Sequence, residues 1–487
     1  MGLSETLSSY FDVDDHGSDV RTEVLAGITT FLAMSYIIVV NPAILSYAIL
    51  WDHGAGERAD TAVIDGATYT ATEVFQMLAI VTILASIAAI VVMAFYAKRP
   101  FGLAPGMGLN AFFAFSVVVG FGIPWQTALA AVFVEGVIFI LLTAVGARKY
   151  IISLFPEPVK FAVGAGIGVF LLFIGLQEMQ IVVGDPETLV RLGDIFTNPV
   201  AIVALAGLIL TLVLWARGVT GSIVIGILGT AVVGWVVALA GLVERGTLVD
   251  AQLLERTQTE GFLSVLMDVQ WDITPLAGAF VDGFTHVEPI TFAFVVFTFF
   301  FVDFFDTAGT LIGVSQFGGF LDEEGDLPEM DKPLMADAVG TTVGSMLGTS
   351  TVTTYIESST GIEEGGRTGL TALVVGGLFL LAIPLVSLAS IVPDYASFIA
   401  LVVVGIIMFQ GVTDIDWSDP AWTVSAVLTI TIMPLTYSIA DGLAAGIIAY
   451  PIVKLAMGEG RDVVPGQYAI AAVLALYYVL QTGGFIL

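Results

Sequence analysis

Runs of about twenty apolar residues recur along the whole chain, and no other feature limits its fold so strongly. A bilayer core needs about 20 apolar residues per helix. Convincing runs cover 24–46, 74–96, 125–145, 159–176, 199–216, 221–242, 290–313, 368–390, 396–412, 421–439 and 441–457. The stretches 101–119, 333–348 and 349–366 are apolar but interrupted. Counted in chain order, these make about fourteen membrane segments, the interrupted ones being third, ninth and tenth. The terminal stretch 467–487 is also apolar, and either spans the bilayer or lies along its interface.

Composition narrows the function. Only 12% of the 487 residues are charged, against about 25% in soluble domains. Such a chain cannot cover a soluble surface, which excludes a cytosolic enzyme. Asp and Glu number 44 against 15 Lys and Arg, a net charge of −29. That sign excludes nucleic acid as a partner, because phosphate binding needs a basic surface. The acids cluster between apolar runs, as in Asp322, Glu323, Glu324 and Asp326, or Glu255, Glu260, Asp268 and Asp272. Acidic, hydrated loops suit a high-salt habitat, where screening tolerates self-repulsion. The chain has no cysteine, so disulfides, iron–sulfur clusters and thiolate zinc sites are out. His16, His53 and His286 all lie outside long apolar runs, so neither a metal site nor a Ser–His pair is expected in the membrane. No cofactor is expected. The polar, acidic start MGLSETLSSYFDVDDHG lacks a basic leader and a cleavage site, so no signal peptide is expected.

Orientation follows from the basic residues. Arg21, Lys98, Arg99, Arg148, Lys149, Arg217, Arg367, Lys454 and Arg461 fall on one side if both termini are cytoplasmic. Arg245 and Arg256 then lie outside, in a long acidic loop that translocates regardless of charge. An internal repeat is visible: Asn198-Pro199 matches Asp419-Pro420, Gly221 falls on Gly442 at the same offset, and FLLFIGLQ (170–177) resembles GIIMFQGV (405–412). Seven segments separate the copies, so the halves have opposite topology, as in many secondary transporters.

Segments three and ten hold corresponding places in the halves. Pro105, Gly106 and Gly108 forbid a continuous helix in RPFGLAPGMGLNAFFAF, leaving an extended piece and a half-helix from near Asn110. From Thr349 to Thr360 only Val352 and Ile356 are plainly apolar, and such a run cannot face lipid. Thr351–Tyr355 suits a short strand, with Glu357, Ser358 and Ser359 opening a half-helix. Paired interruptions of this kind point to a midplane binding site; a polar extramembrane loop is the alternative. Segment eight carries Asp303 and Asp306 on one helix face, costly at that depth unless they meet a cavity or a partner. Asp306 is favoured, since Thr307, Gly309 and Thr310 surround it. Glu135 and Asp337 are weaker signals, each more simply a paired acid within the bundle. Gly164, Gly166 and Gly168 read as helix packing, not a nucleotide loop.

The chain resembles the nucleobase–ascorbate transporters (nucleobase cation symporter-2), in their adenine/guanine/hypoxanthine permease branch. The likeness lies in GITTFLAMSYIIVVNP (27–42), APGMGLNAFFAF (104–115), FVDFFDTAGTLIG (301–313), TSTVTTYIESSTGI (349–362) and SIADGLAAGIIAYP (438–451). The resemblance implies an all-α polytopic membrane protein built as a 7+7 inverted repeat, with short strands in segments three and ten. It implies a core domain of 1–145 and 290–392, a gate domain of 146–242 and 393–487, and an extramembrane acidic connector, 243–289. Acids of relatives fall at Asp306 and Glu357, and the purine branch's asparagine at Asn110. Aspartate at 306 fits that branch and weighs against uracil. A proton as coupling cation, a homodimer and a place in the plasma membrane are implied as well.

Chemistry agrees. A carboxylate accepts from one purine edge, backbone N–H groups at half-helix starts donate to another, and an asparagine reads a mixed edge. Phe112, Phe113 and Tyr355 offer ring faces. The expected binding residues are Asn110, Phe112, Asp306, Thr310, Thr354, Tyr355, Glu357 and Ser358. Asp306 and Glu357 are the candidates for proton coupling, with Asp303 a lesser one; of the two, Glu357 is expected mainly to hold the base and Asp306 to carry the proton. The alternatives are a xanthine/uracil-type or anion transporter of the same fold; a membrane hydrolase and a channel are the rivals from other classes.

Overall fold

The computed structural model describes residues 3–146, 155–286, 288–322 and 327–483. Arg148 and Lys149, and the acids Glu323, Glu324 and Asp326, lie outside the described residues. Among the described residues ten helices are long and apolar enough to cross a membrane: segment one (Val20–Leu50), two (Ala71–Ala97), four (Trp125–Ala144), five (Glu157–Glu178), six (Pro199–Ala216), seven (Ser222–Leu239), eight (Pro289–Gly318), eleven (Gly369–Ser390), twelve (Asp394–Asp414) and fourteen (Ile439–Ala456). Segments nine (Asp331–Leu347) and thirteen (Pro420–Thr436) are helices of 17 residues. Segments three and ten are the interrupted elements that complete the bundle. The chain is thus a mostly helical polytopic membrane protein whose two sets of seven segments run with opposite topology.

The interruptions take the form their residues dictate. In segment three Leu103–Pro105 is a strand, followed by a helix over Met107–Ala111 that widens to a π-helix over Phe112–Gly120. In segment ten Val352–Thr354 is a strand and Ser358–Glu363 a one-turn helix. The strands pair antiparallel, Leu103 with Thr354, Ala104 with Thr353 and Pro105 with Val352. Segment nine closes the free edge of strand 352–354. The Thr341 hydroxyl donates to the Val352 carbonyl and accepts from its N–H, both at 3.1 Å, and Asp337 accepts from the Thr354 N–H at 3.1 Å. No backbone edge is left to lipid there, as the bilayer requires.

Helix ends explain part of the repeat. Asn198 and Asp419 both cap the helices opened by Pro199 and Pro420, accepting from Val200 N–H at 2.9 Å and Ala421 N–H at 2.7 Å. The glycine match does not hold structurally. Gly221 stands before segment seven at φ +70°, whereas Gly442 lies inside segment fourteen. Of the three glycines read as packing residues, two meet neighbours. A Cβ on Gly168 would lie 2.6 Å from the Gly405 carbonyl oxygen of segment twelve, and one on Gly166 would lie 2.7 Å from Met433 Sδ. Gly164 meets nothing within 4 Å.

Segments one, two, four, nine and eleven pack on one another, and five packs on twelve and thirteen. Strands outside segments three and ten extend the expectation. Thr61–Ile64 pairs with Ala67–Thr70 around Asp65-Gly66, both at positive φ, the two-residue turn that Asp-Gly favours. Val182–Asp185 pairs with Leu189–Leu192. The connector is not all loop: Ala279–His286 packs on segment four, where Thr127 donates to the Gly283 carbonyl at 3.1 Å. The terminal helix Pro465–Thr482 stacks Tyr477 on Phe294 with centroids 4.1 Å apart.

Candidate functional site

The crossing of segments three and ten sits against segment eight and the break in segment one. That break falls at Ser35 and Tyr36, between helices Val20–Met34 and Ile37–Leu50. It turns the Tyr36 hydroxyl to Glu357, which accepts its hydrogen bond at 2.6 Å. Glu357 opens the one-turn helix of segment ten and is partly accessible. Asp306 and Thr310 on segment eight are partly accessible too, and Gly309 between them faces open space. The carboxylates of Glu357 and Asp306 both act electrostatically on the Tyr355 phenol, so the two acids face one region.

The other expected site residues are buried, their polar groups spent on the scaffold. Ser350 donates to the Asn110 side-chain oxygen, and the Asn110 amide reaches the Pro105 carbonyl at 3.4 Å. The Tyr355 hydroxyl donates to the Pro105 carbonyl at 2.6 Å. Ser358 accepts from the Gly102 N–H at 2.9 Å. The Thr354 hydroxyl donates to Asp337 at 2.9 Å. Phe112 packs edge-on against Phe299, with centroids 4.8 Å apart, and Phe113 lies 6.4 Å from the same ring. The structure therefore brings Asp306, Thr310 and Glu357 to a partly open face and places Asn110, Phe112, Thr354, Tyr355 and Ser358 directly behind it.

Asp303 and Asp306 share a helix but not an environment. Asp303 is fully buried and accepts from Thr307 at 3.2 Å. Asp337 is a satisfied structural acid, as its sequence context suggested. Three contributors escape sequence reading. Tyr36 lies within a quoted motif but carries no charge to single it out. Glu23 is a buried acid that accepts from Arg367 N–H at 3.0 Å and Thr371 hydroxyl at 2.6 Å, capping segment eleven. Arg58 meets Asp394 at 2.5 Å and lies 4.5 Å from the Tyr47 ring centroid, while the Tyr47 hydroxyl donates to Glu178 at 2.6 Å. Burial works most strongly against the Arg58 charge, but Asp394 and Tyr47 beside it together outweigh burial and raise the guanidinium above its ordinary value. Among the described residues no group of His, Asp and Glu is placed to hold a metal ion.

Comparison with known proteins follows the same lines. The Permease family signature (Xan_ur_permease) matches residues 21–444. The guanine/hypoxanthine permease PbuG of Bacillus subtilis is 39% identical over 476 residues, covering 97% of this chain and 99% of its own. The adenine permease AdeP of Escherichia coli is 36% identical over 475 residues, covering 98% and 95%. Among solved structures, the transmembrane domain of the cyanobacterial bicarbonate transporter BicA superposes with a TM-score of 0.55 at 15% identity, covering 88% of this chain and 97% of that one. At that identity the likeness is one of fold.

Proposed function

Because the chain belongs to the xanthine/uracil permease family, the nucleobase–ascorbate transporters, we propose that it imports purine nucleobases: adenine, guanine or hypoxanthine. One observation carries the reading. Glu357 and Asp306, from segments ten and eight of the second half, turn partly accessible carboxyls toward one region beside Tyr355. Two acceptors on separate elements suit the N–H donors on a purine's edges. An anion would find the same two carboxylates repulsive.

In this reading the base sits between segment eight and the crossed strands. The core domain (1–145 and 290–392) moves against the gate domain (146–242 and 393–487), exposing the site to each side in turn. Proton symport drives accumulation. The protein works as a homodimer in the plasma membrane with both termini cytoplasmic, and it transports without chemical conversion of the base. The acidic loops suit a saline exterior.

The test is uptake of radiolabelled adenine, guanine, hypoxanthine, xanthine and uracil by a host lacking its own permeases. Saturable uptake of the first three, each competing with the others, is expected. Uptake of uracil alone would move the chain to the other branch. Uptake of bicarbonate or another anion alone would overturn the reading.

A further inference from the structure

Glu135 on segment four and Asp303 on segment eight are both fully buried, and their carboxyl groups lie within hydrogen-bonding reach of each other. No other donor among the described residues reaches either Glu135 oxygen or Asp303 Oδ2. An ionised carboxylate only accepts, so a hydrogen bond between two carboxyls requires that one carry a proton. The groups that face the pair add no positive charge. Asp306 comes from the same helix and Asp337 from segment nine, while Tyr355 and Glu357 of segment ten face Asp306. Segment three contributes Phe112 and Phe113 against Phe299, and Phe155 ahead of segment five packs on Phe301.

We propose that the coupling proton resides on the Glu135–Asp303 pair, behind the purine site, rather than on Asp306 within it. The inference rests on the proposed purine transport and adds its proton site. Asp306 is partly accessible, whereas both members of the pair are fully buried. A physical route joins the pair to the crossed strands. The Thr307 hydroxyl donates to Asp303 Oδ1 at 3.2 Å and also lies within reach of Asp337. One hydroxyl has one proton to donate. With the proton shared between Glu135 and Asp303 Oδ2, Asp303 is neutralised, a weaker acceptor at Oδ1, and Thr307 donates to Asp337 instead. With that proton gone, Thr307 donates to Asp303, and Asp337 loses a donor. Asp337 in turn holds the Thr354 hydroxyl and N–H on strand 352–354, two residues before Tyr355 and three before Glu357. The protonation step makes one O–H bond at a carboxyl oxygen and breaks one in water, so no other reactant is needed.

The test uses purified protein in liposomes, with labelled purine entry and internal acidification followed together. Wild type is expected to move protons with purine. Glu135→Gln should lower protons moved per purine by about tenfold while purine binding stays within about twofold. Glu135→Asp, which keeps a carboxyl, should restore coupling in part. An infrared protonated-carboxyl C=O band should be present in wild type and diminished in both Glu135→Gln and Asp303→Asn. Full coupling in Glu135→Gln overturns the proposal, as does a band insensitive to both substitutions. Wild type that transports purine without protons overturns the proton site alone. Wild type that neither binds nor transports any purine overturns the functional reading and the coupling role with it. Where Glu135→Gln does not fold, the wild-type and Asp303→Asn bands decide.

Discussion

The Tyr36 hydroxyl holds Glu357 at 2.6 Å across 321 residues of chain, joining the break in segment one to the half-helix of segment ten. A hydrogen bond to an ionised group contributes about 1.5–3 kcal/mol. Tyr36→Phe removes it and leaves Glu357 free to swing. We expect purine affinity to fall by roughly tenfold to a hundredfold, with the fold intact, as read by ligand-induced shifts in thermal unfolding. Unchanged affinity would show that Glu357 is not positioned for the base.

Asn110 acts from behind the site. Asn110→Ala leaves the buried Ser350 hydroxyl without its acceptor, at a cost of about 1–3 kcal/mol. Thermal stability and purine affinity should both fall, and Ser350→Ala added to Asn110→Ala should recover part of the stability. Lowered stability with unchanged affinity for every purine would confine Asn110 to the scaffold.

Acid should weaken the contact that ties segment thirteen to segment fourteen. Lys454 is almost wholly buried and bonds Asp419 at 2.8 Å and Glu459 at 2.7 Å. Partial burial raises the Asp419 value, but the Lys454 bond and the backbone N–H groups it caps outweigh burial and hold it below the usual carboxylate range. A depressed folded value stabilises the protein above the unfolded value of about 3.9. That stabilisation is lost as pH falls through the folded value. Asp419→Asn keeps the helix cap and loses the charge. It should unfold at lower temperature than wild type at pH 7, and the difference should vanish in strong acid. A difference independent of pH would deny the charge its part.

Topology is open to direct measurement, because the chain has no cysteine of its own. Asp60→Cys and Glu260→Cys should react with a membrane-impermeant thiol reagent from outside intact cells. Labelling only after permeabilisation would reverse the orientation read from the basic residues.

The fold was legible because lipid leaves the sequence few choices. Apolar length gave the segments, and Pro105 with Gly106 marked where a helix must stop. The Thr-rich run 351–355 gave the strand nearly to its ends, Val352–Thr354. The Asp65-Gly66 pair marks an equally visible two-residue turn, but a hairpin this short between segments leaves no trace in apolar length. The site was harder. Glu357 and Asp306 stood out as acids in apolar surroundings, but nothing in the sequence says which side of a helix faces the cavity. Asp303 therefore reads like a weaker copy of Asp306, when its partner is Glu135, far earlier in the chain on segment four. Tyr36 and Glu23 were missed for the same reason: their importance lies in partners that only the packed bundle supplies.

The pairing of Leu103–Pro105 with Val352–Thr354 also sets an order on biogenesis. The Pro105 carbonyl must wait for the Tyr355 hydroxyl, 250 residues later. At about 5–20 residues per second, a ribosome needs roughly 12–50 seconds to make that length. For that interval the exposed edge at 103–105 has no strand to bind and cannot rest against lipid tails. Segment three must then be held by the insertion machinery or by trapped water until segment ten arrives. A nascent chain stalled before residue 349 should stay cross-linkable to the translocon and be cleared by membrane proteases, whereas one released beyond segment ten should escape both.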